Sequence, residues 1–157
     1  MNQSVAEQSG LEKELVDRDH IQSIPKSTLQ KSTVDSKFVA ALSATDFGPI
    51  AFKLMHPDDG KPWTLERATK AIEQYRRFLF LSKHYPRQRI VPSWEVDQVW
   101  HAHILDTTKY REDCDRLFGS FMDHWPYFGM KDEAEKAELD SAFLDTQQLM
   151  EAHFGRV

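Results

Sequence analysis

From Trp94 to Phe118 the chain carries apolar side chains on almost every side of a helix, and few folds accept such a segment. On a wheel at about 100° per residue, Trp94, Asp97, His101, Ile104 and Leu105 fall on one side. Val96, Val99, His103, Tyr110 and Cys114 fall on the opposite one. Only Glu95, Gln98, Lys109 and Asp113 make a consistently polar stripe. A helix apolar around most of its circumference has to be surrounded by other elements. The segment predicts a buried central helix at about 94–118, with Ser93 as N-cap and Gly119 as its stop. Its Asp and His side chains are then expected inside the protein. There each unsatisfied polar group costs roughly 1–3 kcal/mol, so they must be paired or ligated.

No stretch alternates with period two, so strands are not needed. The flanking segments read as helices of the same domain. Val34 to Leu42 is a short helical pattern, broken by Asp46-Phe47-Gly48-Pro49, and Ile50 to Met55 is a second apolar stretch. His56 to Pro62 is a loop rich in Pro, Asp and Gly. Thr64 then caps a helix with Leu65, Ala68, Ile72, Tyr75, Phe78 and Leu79 at helical spacing, ending before Pro86. Residues 120–130 form an aromatic loop with Phe121, Trp125, Tyr127 and Phe128. A last helix runs from about Asp132 to Phe154. The expected fold is all-α: a compact bundle of about five helices around the 94–118 helix. Residues 1–32 are expected to be a mobile N-terminal arm and residues 33–157 a single helical domain.

With 157 residues, 40% of them hydrophobic and 29% charged, the chain can bury one core. A net charge of -5 disfavours a nucleic-acid partner. The single cysteine, Cys114, cannot form an intrachain disulfide, and the first residues lack a signal-like apolar stretch. The longest strongly apolar run, Phe78 to Leu81, is far short of the roughly 20 residues a bilayer demands. A soluble cytoplasmic protein without membrane partners is expected.

The chemistry-bearing residues crowd between Val91 and Gly129. Asp97 and His101 stand at i and i+4, so the carboxylate can orient the imidazole as a base, or both can ligate a metal. His101 and His103 resemble a chelating pair, yet on a continuous helix they point about 200° apart. Asp106-Thr107-Thr108 offers a place for a break that would re-aim them. His124 lies in the loop beyond Gly119 and reaches His101 only if the helix is bent. Asp97, His101, His103 and His124 are the candidate ligands of a single divalent metal, Fe or Zn. Asp97, His101, Tyr110 and Cys114 are the candidate catalytic residues, Cys114 as a nucleophile. The aromatics Trp94, Trp100, Trp125, Tyr127 and Phe128 read as core before they read as a cleft.

The run Val91-Pro92-Ser93, Val96-Asp97, Val99-Trp100-His101-Ala102-His103, Tyr110, Asp113-Cys114, Phe118-Gly119 and His124 resembles the glycine-rich domain-containing protein-like family. The resemblance extends from about Pro62 to Gly129. With only 6 glycines the chain lacks the glycine-rich region of plant members and is similar to the shorter bacterial-type ones. Some relatives place Pro at the position of Thr107, which implies a helix start after Asp106. The resemblance implies no catalytic assignment.

Two functional expectations follow. One is a small metal-dependent enzyme, of iron oxygenase, oxidoreductase or zinc hydrolase type, acting on a small molecule or peptide. The other is a non-enzymatic module in which a buried His, Asp and Cys network fixes the fold and an aromatic patch binds a protein partner.

Overall fold

The computed structural model describes residues 36–155; the expected arm at 1–32 lies outside the described residues. Six helices and no strand are found among the described residues: α1 (Ser36–Ala44), α2 (Gly48–Met55), α3 (Leu65–His84), α4 (Trp94–Leu105), α5 (Thr107–Phe118) and α6 (Glu133–Phe154). Several ends follow from local chemistry. Thr64 Oγ1 accepts from Arg67 N–H at 3.2 Å to start α3, and Ser93 Oγ accepts from Val96 N–H at 3.4 Å to start α4. Asp132 caps α6 by accepting from Glu135 N–H at 2.8 Å. Gly119 closes α5 at φ 71°, in the left-handed region where glycine meets no Cβ penalty.

α3 packs against α1, α2, α4 and α6. Its Tyr75 and Phe78 are fully buried, and they join Val99 and Trp100 of α4 and Tyr110, Cys114 and Leu117 of α5 in one core. No single helix among the described residues is long and apolar enough to cross a membrane.

The expected continuous helix at 94–118 is two helices. Asp106 ends α4 and its carboxylate accepts from Lys109 N–H at 3.4 Å to begin α5. Ten residues along a straight helix span about 15 Å. Yet Trp100 Nε1 lies 2.8 Å from Tyr110 Oη, and His103 Nε2 lies 3.0 Å from Asp113 Oδ2. α5 is therefore folded back against α4, and each of these bonds ties the two together.

The break also corrects what is buried. Asp113, read as part of the polar stripe, is 5% exposed, whereas Trp94 and Leu105 are 62% and 78% exposed. On α4 the buried residues are Val96, Val99, Trp100 and His103, whereas Asp97 is half-buried and His101 exposed. The apolar circumference of the wheel was an artefact of reading one helix where there are two with different buried faces.

Candidate metal centre

His101 and His103 part as the wheel requires. His103 points into the core, where its Nε2–H donates to Asp113 Oδ2 at 3.0 Å and its Nδ1 accepts from Tyr75 Oη–H at 3.0 Å. This tautomer is assigned from the partners, since a carboxylate only accepts and the phenol is left to donate. Burial pushes His103 below the usual histidine range, against the opposing pull of Asp113. Asp113 is also paired with Lys109 Nζ at 3.0 Å and with Arg116. Both ring nitrogens of His103 are thus engaged, and the structure places it apart from the other candidate ligands.

Asp97, His101 and His124 come together. Their donor atoms lie within 4.8 Å of one another. His101 Nε2 is 3.1 Å from His124 Nε2, His124 Nε2 is 2.9 Å from Asp97 Oδ1, and His101 Nε2 is 3.4 Å from Asp97 Oδ2. With metal–ligand bonds near 2.0–2.1 Å, adjacent donors of a tetrahedral or facial octahedral set stand about 3.0–3.4 Å apart. The spacing fits one small cation. Two imidazole nitrogens and a carboxylate aimed at one point also suit a cation better than they suit each other. Zn prefers such a set with an open fourth position, and non-haem Fe(II) takes two His and one carboxylate with open positions.

Two elements deliver the three candidate ligands. Asp97 and His101 are one turn apart on α4. His124 arrives from the loop after α5, held by a relay through Tyr110. Trp100 Nε1–H donates to Tyr110 Oη at 2.8 Å, and Tyr110 Oη–H donates to the Met122 carbonyl at 2.6 Å, two residues before His124. The Trp100 ring also packs on the His124 ring, centroids 4.5 Å apart. The candidate Tyr110 thus ties Trp100 of α4 to the segment that carries His124. Burial drives its phenol well above its ordinary range, so it stays protonated. Cys114 is buried on α5, and burial pushes its thiol up, away from the thiolate a nucleophile needs.

The site opens on a cleft of about 710 Å³ whose walls include Asp97, His124, Trp94, Trp100, Trp125 and Phe128. This size is ordinary for a small-molecule site. Of the aromatics expected in the core, Trp100 is buried, whereas Trp94, Trp125 and Tyr127 are 62%, 70% and 61% exposed. The full cleft lining was not legible in the sequence, because Tyr85 and Arg89 join it from the segment after α3, and Leu139 from α6. Apolar residues of separate helices carry no mutual signal along the chain.

A protein of this kind, an all-helical bundle with an Asp and two His clustered beside an aromatic cleft, has a place among known sequences. The chain belongs to the UCP032817-like family, which it matches over residues 42–143, and so to the glycine-rich domain-containing-like proteins. It is 30% identical over 91 residues to glycine-rich domain-containing protein 2 of Arabidopsis thaliana, covering 55% of this chain and 11% of that protein. It is 30% identical over 90 residues to glycine-rich domain-containing protein 1 of the same plant, with the same shares. The chain thus spans about a tenth of the length of these curated relatives. No solved structure matches it.

Proposed function

We propose that the protein is a small metal-dependent enzyme whose centre is one divalent Fe or Zn held by Asp97, His101 and His124. The observation that carries this reading is the convergence of those three donor groups at the edge of an aromatic cleft. When bound, the metal would activate water or dioxygen, or polarise an oxygen of the substrate. The chain's own part is geometric. Asp97 supplies negative charge and takes up both histidines, the relay through Tyr110 holds His124, and the aromatic walls exclude water from an apolar small molecule or peptide. His103 is left out of the ligand set and buttresses α4 against α5. A lone buried cysteine fits the reducing cytoplasm.

The test is elemental analysis of the full chain after anaerobic reconstitution with Fe(II) and, separately, Zn(II). About one equivalent per chain, lost in both His101→Ala and His124→Ala, is the expected result. The metal retained identifies the oxygenase or the hydrolase branch. No bound metal under either condition overturns the proposal. It would then favour the second reading, a protein-interaction module, which rests on Phe121, Trp125, Tyr127 and Met130 standing 55–74% exposed on one loop.

A further inference from the structure

We propose that the cleft takes an organic carboxylic acid with an apolar, ring-sized body, and that Arg89 reads its carboxylate. The inference takes the cleft beside the proposed metal centre as the substrate site and so rests on that reading.

Arg89 lies in the turn between α3 and α4 and lines the cleft. It is the only Lys or Arg to do so among the described residues. Its guanidinium is laid 4.3 Å over the Phe128 ring. Stacking uses the flat face of the group and leaves its in-plane N–H edges free, the edges that grip a carboxylate in a two-bond fork. Other arginines of the bundle are committed: Arg67 to Glu95, Arg77 to Glu73 and Arg116 to Asp113. Arg89 has no ion pair among the described residues. It is an exposed cation stacked on an aromatic ring at the cleft wall, with no ion pair on its recognition edge among the described residues.

The charge balance selects the anion. One guanidinium offsets one negative charge, and Asp97 and Asp123 also line the cleft. With the divalent ion held at Asp97, the formal charges of ion, Arg89, Asp97 and Asp123 leave one net positive charge, which a carboxylate monoanion neutralises and a phosphate dianion exceeds, so a carboxylate is favoured over a phosphate monoester. The walls select the body: Trp94, Trp100, Phe128 and Leu139 line the cleft and offer it apolar contact.

The test compares 3-phenylpropionate with its neutral amide, 3-phenylpropionamide, and with phenyl phosphate. Binding is measured by tryptophan fluorescence and calorimetry on the full chain, zinc-loaded and chelator-treated. A hydrogen bond to a charged group contributes about 1.5–3 kcal/mol, so the acid is expected to bind about tenfold or more tightly than the amide. That preference is expected to collapse to about twofold in Arg89→Gln and to persist in Arg87→Gln, whose residue lies outside the cleft lining. Absence of binding by the wild-type chain, tighter binding of phenyl phosphate, or a preference retained in Arg89→Gln overturns the proposal. A preference that survives Arg89→Gln but vanishes on chelation puts the carboxylate on the metal, which sinks the role of Arg89 and leaves the metal centre standing. An Arg89-dependent preference in a chain that binds no metal supports the carboxylate site and removes the metal centre instead.

Discussion

Tyr110→Phe deletes one oxygen atom and so isolates the relay that brings His124 to the proposed metal centre. The residue is 2% exposed and makes two hydrogen bonds through that atom, one to Trp100 and one to the Met122 carbonyl. Trp100 is 6% exposed, so its indole N–H loses its partner with little water to replace it. A buried donor left unsatisfied costs about 1–3 kcal/mol, and loss of the second bond, to a half-buried carbonyl that water can reach, costs about 1 kcal/mol. The sum is about 2–4 kcal/mol. For a helical domain of this size each kcal/mol lowers Tm by roughly 4 °C, so the melt should fall by about 8–16 °C. The variant still folds, since native domains hold about 5–15 kcal/mol.

The functional consequence is separable from the structural one. Released from Tyr110, the segment carrying His124 is no longer fixed at Met122. Groups that orient a ligand from behind are worth about 10–100-fold in metal affinity. The control is Tyr75→Phe, which deletes a phenol from the His103 network and is expected to lower Tm without weakening metal binding. Thermal melts by circular dichroism and competitive metal titration read the two effects. A Tm within about 2 °C of wild type refutes the relay itself. Equal losses of metal affinity in Tyr110→Phe and Tyr75→Phe refute its role in placing His124 and reduce it to general stability.

Three further outcomes are expected. Burial lowers the His103 pKa, so the native state holds His103 neutral while the unfolded chain takes a proton below about pH 6.5. Stability is then full above that pH, falls as pH drops through the window down to the lowered native value, and levels off beneath it. Denaturant midpoints between pH 5 and 7.5 should show the slope in wild type and a smaller one in His103→Gln, and an equal slope in both would rule out His103 as its source. Gly129→Ala places a Cβ 2.6 Å from Leu139 Cδ2 at a backbone φ of 84°, so it should destabilise by at least about 1–2 kcal/mol and distort the cleft wall, whereas an unchanged melt would mean that α6 yields freely. His101→Ala should leave Tm within about 2 °C while abolishing metal binding, because the side chain is 45% exposed and lies outside the core; a large drop in Tm would show that His101 holds the fold instead.

What could be read from the sequence was what local chemistry decides. Thr64, Ser93 and Gly119 bound their helices as caps and stops because each acts within three or four residues. The separation of His101 from His103 was legible for the same reason, since 200° of rotation is a property of the helix alone. The burial of Asp113 and the exposure of Trp94 were not legible. They depend on α5 folding back over α4, a tertiary event whose only local sign was Asp106 with Thr107 and Thr108. Arg89 over Phe128 joins residues 39 positions apart, with nothing in either segment to announce it.

The single step at Asp106 then accounts for most of the site. Without it His124 would lie beyond reach of His101, Trp100 could not meet Tyr110, and His103 could not meet Asp113. With it, the two bonds that clamp α5 to α4 each span ten residues and both act from the buried side of α4. One of them continues through Tyr110 to the Met122 carbonyl and ends two residues short of a candidate ligand. The other buries a histidine that is neutral and fully partnered, which leaves its neighbour two positions earlier as the exposed donor. Within His101-Ala102-His103, then, the first histidine faces the candidate site at the surface and the second ties α4 to α5 from the core.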